Sequence, residues 1–248
     1  MSYIIFTDLD GTLLNHDDYS FDDAKEMLEV IKKREIPLIF TTSKTKKECE
    51  VLQEKMAIEQ PFIVENGAAI FGLGCDVIKL GLGFEEIRAF TDDIKDEFEM
   101  LPFSSMSVND VMEWTGFSFE NATMAKNRDF SEPFLIADER KLTHIEKLAE
   151  QNGMKILKGG RFYHCVGINQ DKGKAVKKSL ELIDRDLTSI GLGDNYNDID
   201  MLRNVDIPIL LPHHENRHIE LDLNNLIKAP YTGAKGWNET LKKVLNES

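Results

Sequence analysis

Two aspartates, Asp8 and Asp10, stand one residue apart near the end of YIIFTDLDGTLL. In an extended segment residues i and i+2 point the same way. Both carboxylates therefore face one spot, just past the carboxyl end of an apolar run. In open α/β sheets ligands collect at that edge. Two carboxylates so close repel unless a cation or a shared proton compensates. Alone, the pair reads equally well as a loop cap with two solvated side chains. A second acidic stretch, GLGDNYNDIDML over 191–202, tips the balance. It follows another apolar run, opens a helix, and supplies Asp194 and Asp198 with Asn195 and Asn197 between them. Hard oxygen ligands of this kind suit Mg²⁺, which binds few protein carboxylates and keeps waters for a phosphate to replace.

The elements that must carry these groups alternate. Apolar runs predict strands at Ile4–Phe6, Leu38–Phe40, Phe62–Val64, Thr188–Leu192 and Ile207–Leu210. Between the first two, Phe21, Ala24, Leu28 and Ile31 recur at helical spacing, and Ser20 with Asp23 resembles a capping box. Thr45 and Glu48 open a second helix with Cys49, Leu52 and Met56 on one face. Continuous apolar strands separated by amphipathic helices predict an α/β fold around a parallel sheet covered on both faces.

The middle of the chain has a different rhythm. It predicts a helix from Phe84 to Phe98 and another around Val108–Trp114. A strand FLIA (134–137), a helix over 139–152 stopped by Gly153, and strands MKIL and RFYHCV follow. This is the pattern of a smaller α+β unit inserted into the parallel sheet. It divides the chain into a core of 1–82 and 167–248 and an inserted unit of 83–166. Gly81 and Gly83 mark the entry, and the Gly167 region the exit.

Composition sets outer bounds. The 248 residues hold 44 acidic against 30 basic side chains, a net charge of −14, so nucleic acid is excluded as main partner. An anionic small ligand is not excluded, because a local pocket or a metal reverses the sign. Three distant cysteines, Cys49, Cys75 and Cys165, make neither a disulfide framework nor a zinc pattern. No signal peptide and no membrane-length apolar run is visible, and a reducing, cytoplasmic compartment is the expectation.

Four segments, DLDGTLL, TTSKT, DKGKA and GDNYND, resemble in order and spacing the motifs of the haloacid dehalogenase (HAD) superfamily. The resemblance spans nearly the whole chain. It implies a Rossmann-like core in which Asp8 is a nucleophile and Asp10 a general acid and base. Mg²⁺ would be held by Asp8, Asp194 and the backbone carbonyl of Asp10, with Asp198 at or behind the metal. Lys172 and one hydroxyl of Thr41, Thr42 or Ser43 would hold phosphoryl oxygens. Thr42 is the choice, because TTSK reads like the family's ATGR. The inserted unit lies after VENGAAIF and before DKGKA. That resembles the cap of many sugar-phosphate phosphatases, placed between the second and third motifs.

AKNRDFSEPF (125–134) and GGRFYHCVGINQDKGKA (159–175) resemble more narrowly the mannosyl-3-phosphoglycerate phosphatase family. That likeness implies a small phosphorylated glycoside as substrate and mannosylglycerate, a compatible solute, as product. Glucosyl-3-phosphoglycerate is an expected further substrate, since pockets separate epimers weakly unless they hydrogen-bond the differing hydroxyl. Arg161 and Arg128 could pair with the glycerate carboxylate. Ser131, Glu132 and His164 could bind hydroxyls, and Ser43, Asn66, Gly160 and Asn197 complete the candidate substrate contacts. The second Thr of TTSKT departs from the family's Ser but keeps the hydroxyl. Competing readings are a phosphatase for another sugar phosphate such as sucrose phosphate, and a phosphomannomutase-like transferase. A non-catalytic sensor is the different-class alternative, against which the intact Asp8, Asp10, Lys172 and Asp194 weigh.

Overall fold

The computed structural model describes residues 2–74, 76–159, 161–183, 186–213 and 216–246. Cys75 and Gly160 therefore lie outside the described residues.

The chain begins with β1 (Tyr3–Thr7), α1 (Lys25–Lys33), β2 (Leu38–Thr41), α2 (Lys46–Met56), β3 (Phe62–Val64), β4 (Ala69–Phe71) and β5 (Ile78–Lys79). The inserted unit follows as α3 (Phe84–Phe98), β6 (Met100–Pro102), α4 (Val108–Thr115), α5 (Phe119–Lys126), β7 (Ser131–Ile136), α6 (Leu142–Gln151), β8 (Met154–Lys158) and β9 (Tyr163–Gly167). The chain then returns through α7 (Lys172–Ile183), β10 (Thr188–Gly193), α8 (Ile199–Leu202), β11 (Ile207–Leu210), β12 (Ile227–Lys228) and α9 (Gly233–Asn246).

The larger sheet has eight strands in the order β12-β11-β10-β1-β2-β3-β4-β5. From β12 to β3 every pairing is parallel. The expected parallel sheet carries an antiparallel edge, formed by β4 and β5. The four residues 65–68 joining β3 to β4 are too few for a crossover, so the chain must turn back. Glu65, Asn66 and Gly67 all take left-handed φ values there, 46°, 59° and 90°. Gly67 is doubly required, since a Cβ would also lie 2.1 Å from the Asp171 carbonyl oxygen.

Strand β1 is buried along its whole length, and its residues alternate between two cores. Tyr3 and Ile5 join Leu38, Phe40 and Trp237 on one side. Ile4 and Phe6 join Ile39, Val176 and Met201 on the other. Helices cover both faces, which is why the strand reads as a continuous apolar run. Thr45 forms the expected capping box with Glu48. Ser20 and Asp23 do not. The Ser20 hydroxyl takes the Asp22 N–H, two residues on, and a 3-10 turn at Asp22–Ala24 leads into α1 without a side-chain cap.

The smaller sheet is antiparallel, in the order β6-β7-β9-β8. One face packs Phe134, Tyr163 and Cys165 against Ile87, Phe90 and Ile145 of α3 and α6. A separate cluster of Phe103, Met106, Val111, Ala122 and Ala125 holds α4 and α5. Strand β7 starts at Ser131, three residues before the sequence expectation, because Pro133 reads as a break. Its carbonyl accepts from Phe103 N, so the missing N–H falls on the side where β6 has already ended.

Candidate active site

Strand order explains the convergence of the sequence motifs. β1 lies between β10 and β2. Asp8, Asp194 and Thr42 each follow the carboxyl end of one of these adjacent parallel strands, at the point where the chain leaves β1 in opposite directions.

Lys172, the first residue of α7, is fully buried among them. Its ammonium lies 2.8 Å from Asp8 Oδ1 and 2.6 Å from Asp198 Oδ1. The other Asp198 oxygen accepts the N–H groups of Asp194 and Asn195, both at 3.0 Å. Asp198 is thus fully occupied as a brace between the lysine and the 194–195 turn. Thr12, in the DGT segment, donates to Asp194 Oδ1 at 3.0 Å. Gly11, at φ 80°, keeps this loop close, since a Cβ there would sit 2.7 Å from Asp194 Oδ2.

Asp8, Asp194 and Asp198 offer carboxylate oxygens all within 4.8 Å of one another, and all three residues are buried. Burial and then the Asp198 charge push the Asp8 carboxyl up to about 7, against the pull of Lys172. The same two causes, with Asp8 added, raise Asp194 well above the carboxylate range. Burial pulls the Lys172 ammonium down, but Asp198 and Asp8 outweigh it and raise it. Three buried carboxylates against one lysine leave uncompensated negative charge. A hard divalent cation fits this donor set and would relieve it.

Asp10 lies beside this group, with one oxygen 2.8 Å from Lys44 Nζ. Its other oxygen, Oδ1, is buried and has no protein partner. The Thr42 hydroxyl accepts from Lys44 N at 3.2 Å, whereas Thr41 turns its hydroxyl back to the Ile39 carbonyl. Of the two, Thr42 is the one at the strand end. Behind Asp8, Trp237 of α9 donates its indole N–H to Thr7, whose hydroxyl donates to the Asp8 carbonyl.

The inserted unit meets this edge through a clasp. Buried Glu65 accepts from the N–H groups of Asp129 and Phe130 and from the Ser131 hydroxyl, at 2.9, 3.1 and 2.5 Å. Arg128 donates to Ser131 Oγ and to the Ser43 carbonyl, both at 3.0 Å. Gln170 donates to the Glu65 carbonyl at 2.6 Å. Arg128, Ser131 and Ser43 are thereby brought together, as a joint between core and inserted unit. Asn66 accepts from Asn197 at 3.0 Å, joining two candidate contacts of the core, and its Nδ2 has no protein partner.

The pairing of β7 with β9 separates the rest. His164 alternates away from the helix-covered face and feels the charges of Arg128 and Lys172. Burial first, then those cations, depress its imidazole to about 3, so it is neutral, and its Nδ1 is unpartnered. Glu132 pairs with Cys165 on the opposite face and accepts from the Ser104 N–H at 3.0 Å. The structure does not bring it to Asp8. Arg161 is exposed, with its charge felt by Tyr19 of the core. Thr12, Lys44, Glu65, Gln170 and Trp237 are additions to the residues read from sequence. The first three sit within or beside the recognised motifs, and nothing local marks the last.

The sheet, the inserted unit and the acidic edge define the class: the chain belongs to the haloacid dehalogenase-like hydrolases, whose family profile matches residues 5–213. Within that class it is similar to a glucosyl-3-phosphoglycerate/mannosyl-3-phosphoglycerate phosphatase of Persephonella marina, 49% identical over 98% of this chain and 97% of that one. A protein of the same description from Methanococcoides burtonii is 37% identical over 100% and 99%. Among solved structures, a Thermoplasma acidophilum protein superposes with a TM-score of 0.76 at 18% identity, covering 98% of each chain. A haloacid dehalogenase-like hydrolase from Bacteroides thetaiotaomicron gives 0.72 at 16% identity, over 98% of this chain and 100% of its own. These two support the fold. No helix among the described residues is long and apolar enough to cross a membrane.

Proposed function

We propose that the chain is a Mg²⁺-dependent phosphatase that hydrolyses mannosyl-3-phosphoglycerate, and its glucosyl analogue, to the glycosylglycerate and phosphate. The observation that carries the reaction is the buried Asp8–Lys172–Asp198 chain with Asp194 alongside and Asp10 next to it. The substrate class rests on the similarity to the two full-length relatives.

In this reading residues 1–82 and 167–248 form the catalytic core, and 83–166 the cap that sets specificity. An Asp8 carboxylate oxygen forms a bond to phosphorus as the ester P–O bond breaks, and the departing oxygen takes a proton from Asp10. Water, deprotonated by Asp10, then attacks the phosphorus of the aspartyl phosphate and frees Asp8. Splitting one displacement into two is the gain from a covalent nucleophile. Lys172 fixes the Asp8 rotamer and, with the Thr42 hydroxyl, supplies donors for phosphoryl oxygens. A Mg²⁺ held by Asp8, Asp194 and the Asp10 carbonyl, with Asp198 behind, would reduce repulsion between carboxylate and phosphoryl group.

On the cap side Arg161 is the candidate for the glycerate carboxylate. Arg128 is engaged with Ser43 and Ser131, and acts mainly to seat the cap. His164 Nδ1 and Asn66 Nδ2 are buried polar atoms without protein partners. Such atoms cost about 1–3 kcal/mol each when left unpaired, and ligand hydroxyls would satisfy them.

The test is a phosphate-release screen with Mg²⁺ across mannosyl- and glucosyl-3-phosphoglycerate, sucrose phosphate, hexose phosphates and 3-phosphoglycerate. The glycosyl phosphoglycerates should give the highest kcat/KM. A preference for sucrose phosphate or a free hexose phosphate would overturn the substrate assignment. Phosphoryl transfer to a second hydroxyl without phosphate release would make the chain a transferase.

A further inference from the structure

Asp10 does not stand alone at the leaving-group side. Lys44 is 7% exposed, and its ammonium lies 2.8 Å from Asp10 Oδ2 and 3.7 Å from Glu48. Its backbone is held at both ends: Lys44 N donates to the Thr42 hydroxyl, and the Lys44 carbonyl accepts from Glu65 N at 3.0 Å. The Thr45–Glu48 capping box fixes the turn that follows.

Two aromatic rings close over the ammonium. Tyr19 is 5.4 Å from it and Phe117 5.6 Å, centroid to Nζ, both within cation–π range. The rings meet edge to face, 5.3 Å apart. Tyr19 belongs to the loop after the DGT segment and holds a left-handed φ of 55°, a costly conformation for an aromatic residue. Phe117 belongs to the inserted unit, directly after the Gly116 cap of α4. The cage is therefore built half from the core and half from the cap.

We propose that Lys44 is a positioning residue for Asp10. Its ammonium holds Oδ2, so that the unpartnered Oδ1 addresses the oxygen that leaves phosphorus. Because Phe117 rides on the inserted unit, the clamp is complete only with that unit seated over the core. Cap docking and alignment of the general acid become one event. The inference rests on the reading of Asp10 as general acid in the proposed hydrolysis.

The signature is leaving-group dependence. A p-nitrophenolate departs without a proton, whereas an alkoxide needs one. Single-turnover release is measured with Mg²⁺ on p-nitrophenyl phosphate and on an alkyl monoester such as glycerol 3-phosphate. The proteins compared are the wild type, Asp10→Asn, Lys44→Met, Lys44→Arg and Phe117→Ala. In Lys44→Met the rate on the alkyl ester should fall about ten- to a hundredfold more than the rate on the aryl ester. Phe117→Ala should shift the same ratio in the same direction by roughly three- to tenfold. Lys44→Arg should restore part of it, and Lys44→Met should add nothing in the Asp10→Asn background. Circular dichroism and Tm identify a misfolded variant, in which case Phe117→Ala and Lys44→Arg carry the test. Equal losses on both esters, with Asp10→Asn still showing the leaving-group effect, would overturn the role of Lys44 alone. If Asp10→Asn itself shows no such effect, the reading of Asp10 fails.

Discussion

The two halves that meet at the candidate site differ in how their polar groups are held. On the core side the charged groups brace one another, and their excess of carboxylate is left for a cation. Lys172 joins Asp8 to Asp198, Asp198 braces the turn that carries Asp194, and Thr12 holds Asp194. On the inserted side Arg128 Nε and His164 Nδ1 are buried without a protein partner, as Asn66 Nδ2 is at the facing edge of the core. A pre-formed charge network suits chemistry common to every phosphate monoester, because its geometry must not vary. Incompletely paired groups suit recognition, because a ligand that supplies the missing partners gains what the free protein lacks.

The largest losses are expected from the core side. Asp8→Asn is nearly isosteric and should leave the fold intact, yet it removes the proposed nucleophile. Turnover should drop on the order of a thousandfold or more on every substrate, measured as phosphate release after deamidation is checked by mass spectrometry.

Cation removal comes next. EDTA should abolish activity and Mg²⁺ restore it, and Asp194→Ala should mimic the chelated enzyme. Ca²⁺ should inhibit, because its larger and looser shell lets Asp8 coordinate without aligning for attack.

The same carboxylates predict a pH effect on stability. Asp8 and Asp194 have folded pKa values raised above those of the unfolded chain, Asp8 to about 7. The folded state therefore holds more protons than the unfolded one between about pH 4 and 7, and stability falls as pH rises through that window. Without a divalent cation, Tm should be lower at pH 7.5 than at pH 5.5. Mg²⁺ should raise Tm more at pH 7.5, where the carboxylates are ionised. An equal Mg²⁺ shift at both pH values would separate the cation from this cluster.

From the inserted side the losses should be smaller and selective. Arg161→Ala should lower the ratio of kcat/KM for glycosyl phosphoglycerate to that for an aryl phosphate by roughly ten- to a hundredfold, the value of one charged hydrogen bond. An unchanged ratio would make Arg161 a surface residue of the β8–β9 hairpin. Glu65→Ala severs the joint rather than the recognition. It removes three hydrogen bonds to a buried carboxylate and should cost about 2–3 kcal/mol in stability, read from urea unfolding.

The same division explains what the sequence made legible. The strand ends carrying Asp8, Thr42 and Asp194 are readable because buried parallel strands are short apolar runs, each followed directly by its candidate residue. Helix α3 was readable from its amphipathic repeat. Helix α5 was not, since its buried residues are only Ala122 and Ala125 and leave no apolar stripe. The antiparallel edge β4–β5 was hidden because strands of three and two residues carry no period. Glu132 reads as a substrate contact beside Ser131, because proximity in sequence does not reveal which face of a strand a side chain takes. Alternation in β7 sends it to the opposite face from Ser131. Trp237 was silent because it acts across 230 residues of sequence through Thr7.

In the proposed mechanism the Asp8 carboxylate carries the phosphoryl group during turnover. Enzyme in excess of mannosyl-3-phosphoglycerate, mixed with Mg²⁺ and quenched in acid within milliseconds, can be digested and read by mass spectrometry. The account predicts a phosphoryl group on Asp8 that rises and decays in a single turnover, and none on Asp8→Asn. Full phosphate release with Asp8 unmodified at every time point would contradict it.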